Sequence, residues 1–149
     1  MSSSDYDDIF EEIEKIESLV LDNFMNYAVY NNDPKPNFEA YLQAITIIQT
    51  TSNKGDLYNE QLLSYHNDII SNYIKGSSDI VDKIDKYNFI DELLVYSEKI
   101  NIVIYWIYKL FKYLDQNYTK IKKNGITLPM YSLNSYKNNF FIPLKERRN

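Results

Sequence analysis

Between Asp79 and Lys123 apolar residues recur at helical spacing for longer than a small domain can house in one straight rod. The segment from Glu92 to Lys122 alone would span ~45 Å at a rise of about 1.5 Å per residue. A break or bend is therefore expected near Lys86 to Asn88, with a long rod following it.

The rest of the chain carries the same period. Ile9, Phe10, Ile13, Ile16, Leu19, Val20 and Phe24 predict a first helix over Tyr6 to Phe24, capped by Ser4 or Asp5, with acids on its other face. Pro34 and Pro36 bar a helix through Asn31 to Pro36. A second helix is expected from about Asn37 to Gln49, with Phe38, Tyr41, Leu42, Ile45 and Ile48 on one stripe. The third runs from Asp56, as N-cap, to Lys75; Gly76 closes it, and Ser77 and Ser78 reopen the chain. After a turn at Asn124-Gly125, Pro129 separates a final helical segment, Tyr131 to Phe141, which Pro143 stops. Only three glycines are present, with no internal repeat and no strand-like alternation. The expected fold is all-α: one domain over residues 1–149, a bundle of five or six helices with a long fourth or fifth rod, frayed at 1–5 and 145–149.

Composition narrows the setting. Hydrophobic residues at 44% suffice for one core, and the absence of cysteine rules out a disulfide or thiolate metal site. Met1 to Asp8 is too polar for a secretory segment, and the most apolar stretch, Ile100 to Leu114, is interrupted by Asn101 and Lys109. A soluble cytoplasmic or nuclear protein is expected.

The net charge of −5 is unevenly distributed. Acids crowd the first thirty residues (Asp5, Asp7, Asp8, Glu11, Glu12, Glu14, Glu17, Asp22), against Lys15 alone. Bases crowd the stretch from Lys109 onward, opposed there by Asp115 and Glu146. The two ends either attract one another or stay solvated; the alternative is a basic half that binds nucleic acid or an anionic membrane.

Motifs for catalysis are missing: no glycine-rich phosphate loop, no nucleophile elbow, no zinc-protease helix. The single histidine, His66, sits mid-helix beside Tyr65 and Asn67, a setting that suits a surface or half-buried structural residue. Acid pairs such as Asp7/Glu11 and Glu14/Glu17 lack a glycine-bearing calcium loop and read as a solvated face. No cofactor, metal or small-molecule substrate is expected.

A binding surface is the remaining route to function. On the rod, Trp106, Lys109, Tyr113 and Gln116 follow one another at three and four residue steps, with Tyr105, Tyr108, Lys112 and Tyr118 in neighbouring rows. Aromatic rings with polar tips beside lysines suit a partner-facing strip.

Five segments, in order, carry a resemblance. They are Asp8-Ile9-Phe10-Glu11-Glu12-Ile13; Phe38-Glu39-Ala40-Tyr41-Leu42-Gln43-Ala44-Ile45; Leu57-Tyr58 followed by Leu62; Tyr113-Leu114-Asp115-Gln116-Asn117-Tyr118; and Tyr131-Ser132-Leu133 leading to Tyr136-Lys137-Asn138 and Phe141-Ile142-Pro143-Leu144. Together they resemble the N-terminal, adaptor-binding repeat of the cullin family, whose Tyr-Leu-Asp-Arg-x-Tyr segment the fourth is similar to. The resemblance implies a five-helix scaffold of a cullin-RING ubiquitin ligase. Its second and fifth helices would hold a BTB/POZ-fold adaptor of the Skp, elongin or BTB type, a Skp-like one foremost, and through it a substrate receptor.

Carried over by position, the contacts implied are Phe38, Tyr41, Leu42 and Ile45 on the second helix and Tyr113 and Gln116 on the fifth. Helix spacing, independent of the family pattern, adds Lys109 and Lys112. Ile45 stands where many members have an aromatic residue, and Gln116 where they have arginine, so a charge-assisted contact is lost. Ser97 replaces a frequent tryptophan, and the closing segment is about two residues shorter than in the family. With a single repeat, the chain reads as a fragment of a longer scaffold or as a short form competing for adaptors.

Overall fold

A computed structural model describes residues 3–21 and 38–148. Five helices fill those stretches. Helix α1, Ser3–Ile16, passes into a π-helical turn at Glu17–Leu21; α2 is Phe38–Ser52 and α3 Asp56–Asp82. Helix α4, Phe89–Leu114, continues through a π turn at Asp115–Thr119 into Lys120–Lys122. Helix α5, Leu128–Tyr136, continues through a π turn at Lys137–Phe141 into Ile142–Arg148. No strand occurs among the described residues. The expected break at Asn31 to Pro36, and the end of the first helix beyond Leu21, lie outside them.

The rod is real, and it is the fourth helix among the described residues. Residues 79–82, expected to open a new segment, belong to α3, which runs straight through Gly76. Ile74, Ser77, Ser78 and Val81 are all buried, so the inward stripe continues past the glycine. That continued burial outweighs the roughly 1 kcal/mol that glycine costs a helix interior. At the other end of α3, Gly55 (φ 136°) holds the N-cap position expected of Asp56, and Asp56 sits in the first turn. Helix α1 is likewise under way by Ser3, ahead of the caps expected at Ser4 or Asp5.

The break before the rod has an explicit cause. Asp85 Oδ1 accepts from the backbone N–H groups of Tyr87 (3.0 Å) and Asn88 (3.1 Å), an Asx turn that competes with helical pairing. Phe89, buried at the start of α4, then anchors the rod.

The π turns follow from the spacing of the inward residues. Leu110/Phe111, Leu114/Asp115 and Tyr118/Thr119 are all buried and recur every four residues. An α-helix, at about 3.6 residues per turn, would rotate each successive pair away from the core. Local underwinding keeps the three pairs pointing inward. In α5 the buried Ser132, Phe140 and Leu144, with half-buried Tyr136 between, show the same spacing. This also explains why Pro143 does not stop the helix. Its ring would meet the carbonyl of residue 139 in a regular α-helix, and residue 139 lies within the π turn.

The core forms where α4 meets its neighbours. Val103, Ile107, Leu110, Phe111 and Leu114 of the rod pack with Ile48 of α2, Leu62, Ile70 and Ile74 of α3, and Phe140 and Leu144 of α5. Full burial of each such side chain contributes about 1.5–3 kcal/mol. Helix α1 packs on α2, and α5 lies against α3 and α4. No helix among the described residues is long and apolar enough to cross a membrane.

Candidate functional site

Helices α2 and α4, far apart in sequence, lie side by side and are stapled twice. Tyr41 lies edge-on to Trp106, ring centroids 5.7 Å apart, and its hydroxyl donates to the Trp106 carbonyl (2.5 Å). Farther along, the Tyr113 hydroxyl donates to Asn53 Oδ1 (2.5 Å), just past the end of α2. Burial pushes the phenol of Tyr41 far above the ordinary tyrosine range, with the neighbouring Tyr105 adding to the effect.

This geometry corrects one expectation. Tyr41 is only 5% exposed, so its ring is sealed between helices and is no docking anchor for a partner. The residues around it on α2 behave differently. Phe38 is 74% exposed and Leu42 46%, while Ile45 is half-buried against the core. On α4, Tyr113 is half-buried and held by Asn53, whereas Lys109, Lys112 and Gln116 are exposed.

Tyr105, placed by the sequence only in a neighbouring row, is the exposed ring of α4 at 50%. It meets Trp106 edge-on at 5.3 Å, so three rings run from the sealed Tyr41 through Trp106 to the surface. Lys109 closes this edge, its ammonium 4.6 Å from the Tyr105 centroid and 5.5 Å from that of Trp106. The signal was present as the four-residue step from Tyr105 to Lys109. What the spacing could not show is which row turns outward.

The segment Tyr113 to Tyr118 is mostly internal wiring. Leu114 is fully buried, and Asp115 Oδ1 accepts from the Leu128 N–H (2.9 Å), satisfying the first turn of α5. Asn117 Nδ2 donates back to the Tyr113 carbonyl (2.9 Å), and Tyr118 donates to Glu60 of α3. Of these six residues Gln116 and Asn117 are exposed, and Asn117 is tied to the Tyr113 carbonyl, which leaves Gln116 to face the ridge.

Charges in the basic half are partly neutralised within the fold. Lys123 pairs with Glu60 at 2.6 Å and Lys122 with Asp56 at 3.8 Å. Lys123 and Tyr118 hold the Glu60 carboxyl below its usual range. Thus the partners of these bases are acids of α3, where attraction to the acidic N-terminus was one expectation. In α1, Lys15 pairs with Glu12 (3.4 Å) and Glu11 (3.9 Å).

His66 is fully buried, beyond the surface or half-buried position expected of it. Its Nδ1 lies 3.0 Å from Asn67 Oδ1, and its ring meets Phe111 and Tyr131 edge-on. Desolvation drives its pKa down to about 4, against a smaller upward effect of the Asn67 contact. No carboxylate touches it to form a relay, and no metal-holding group of three or more His, Cys, Asp or Glu occurs among the described residues.

Comparison with family models, curated proteins and solved structures returns no match to this chain.

Proposed function

We propose that this chain is a non-catalytic scaffold module that holds a BTB/POZ-fold adaptor, a Skp-like one foremost, on the α2–α4 ridge, as the N-terminal repeat of a cullin would within a ubiquitin ligase. The observation that carries this is the exposure of Phe38, Leu42 and Tyr105 beside a rigid pair of stapled helices. Exposed aromatic and aliphatic side chains on helices already held together can be covered without backbone rearrangement, which lowers the cost of association. The ordered resemblance of five segments supports the same function, and two of those segments supply α2 and the end of α4.

The contact set proposed is Phe38, Leu42, Tyr105, Lys109, Lys112 and Gln116. Ile45 and Tyr113 form its half-buried floor, and Tyr41 supports it from within. Titration of the purified chain against purified BTB/POZ-fold adaptors tests the assignment. Phe38→Ala/Leu42→Ala is expected to weaken adaptor capture by about thirtyfold or more, the scale of one lost anchor of ~2 kcal/mol. The far-UV helix signal should be unchanged, because both side chains lie outside the core. Capture at wild-type strength by the double variant would reject this ridge. Steep loss of binding with added salt, coupled to capture of RNA or anionic vesicles, would favour the nucleic-acid or membrane alternative.

A further inference from the structure

The bases of the ridge differ from the two paired bases at the end of the rod. Lys122 and Lys123 are matched by Asp56 and Glu60, whereas Lys109 and Lys112 have no acidic partner among the described residues. The nearest acid in sequence, Asp115, is 4% exposed and committed to the Leu128 N–H. On the facing side of α2, from Phe38 to Ser52, the sole charged side chain is Glu39 at the helix start. The ridge therefore presents two uncompensated ammonium groups beside an apolar and aromatic surface.

We infer that the occupant of the ridge is an acidic protein segment, whose carboxylates seat on Lys109 and Lys112 while its apolar side chains cover Phe38, Leu42 and Tyr105. This rests on the adaptor-binding function proposed above and specifies the chemistry of the partner. Lys109 is the stronger determinant. Its ammonium sits over the Tyr105 ring (4.6 Å) and near that of Trp106 (5.5 Å), so it is held in place before a carboxylate arrives. Lys112, one turn farther on and exposed, extends the positive edge toward Gln116. Gln116, the next exposed residue along this row, is neutral, so these two lysines supply the charge. A nucleic acid fits the same surface less well: two lysines beside exposed hydrophobic side chains offer few phosphate contacts.

The test uses the full chain and a purified Skp-like adaptor at low and moderate salt. Charge reversal, Lys109→Glu/Lys112→Glu, is expected to weaken binding by about tenfold or more at low salt, chiefly through slower association, with smaller losses as salt rises. Lys109→Gln/Lys112→Gln should fall between, with a flatter salt dependence than wild type. Loss of binding in Phe38→Ala/Leu42→Ala but wild-type binding in both lysine variants would overturn the acidic-partner inference and leave the ridge standing. If the wild-type chain captures no BTB/POZ-fold adaptor, both fall. Self-association of wild-type chain that charge reversal abolishes would make the acidic α1 of a second copy the occupant, and would overturn the adaptor assignment.

Discussion

Tyr41→Ala is expected to destabilise the bundle by about 3–5 kcal/mol, the range for deleting a buried aromatic side chain. A domain of ordinary stability, about 5–15 kcal/mol, would lose a large part of it, and the melting temperature should drop by roughly 10 °C or more. Two physical losses combine. The ring vacates a sealed site against Trp106, and the carbonyl of Trp106 loses the phenol that donates to it. Tyr41→Phe separates them: it keeps the packing and removes the hydrogen bond, so a cost of about 1 kcal/mol is expected. Thermal unfolding followed by circular dichroism measures both. Had Tyr41 been a solvent-facing anchor, alanine would leave the fold untouched and remove only binding. A melting curve for Tyr41→Ala that overlays wild type would contradict the sealed position.

Acid should weaken the fold through His66 before most carboxylates titrate. The folded chain holds this imidazole neutral down to about pH 4, whereas the unfolded chain protonates it near pH 6.5. Between those values the unfolded state binds more protons, so stability is fully present above pH 6.5 and is lost as pH falls toward 4. By pH 5 the loss amounts to about 2 kcal/mol at 1.36 kcal/mol per pKa unit. Urea unfolding at pH 7 and pH 5 measures it, with His66→Leu as the control. The leucine fills the site between Phe111 and Tyr131 without a titrating group, so its stability should change by about 2 kcal/mol less than wild type over that interval. Equal losses in the two proteins would show that other groups carry the acid response.

Much of the fold was legible because hydrophobic period reports helices directly. The rod and the break before it were both readable from the length of the helical pattern, while the Asx turn at Asp85 that makes the break shows only in the structure. Boundaries failed where tertiary burial overrode local preference. Gly76 reads as a helix end, yet the stripe of Ile74, Ser77 and Val81 carries α3 past it; Pro143 reads as a stop, yet a π turn absorbs its clash. The start of α5 reads late, at Tyr131, because Pro129 reads as a separator, whereas it lies in the first helical turn, where a missing N–H is tolerated. Thr127 Oγ1 accepts from Met130 N and Asp115 from Leu128 N.

The site was legible to the level of which two helices meet, and less so residue by residue. Tyr41 and Leu42 are adjacent in sequence and both suit an interface, but a rotation of about 100° per residue sends one into the bundle and the other out. Only the position of Trp106, sixty-five residues away, decides which is which. The same ambiguity hid Tyr105, whose neighbour Trp106 points to α2 while Tyr105 itself remains at the surface.

Site-specific photo-crosslinking tests the α2–α4 ridge most directly. A photoreactive phenylalanine analogue at position 42 or 105 is expected to capture a bound Skp-like adaptor. The same analogue at position 133 or 141 of α5, where Leu133 and Phe141 are comparably exposed, should not. Adaptor crosslinks from α5 with none from positions 42 and 105 would contradict the account.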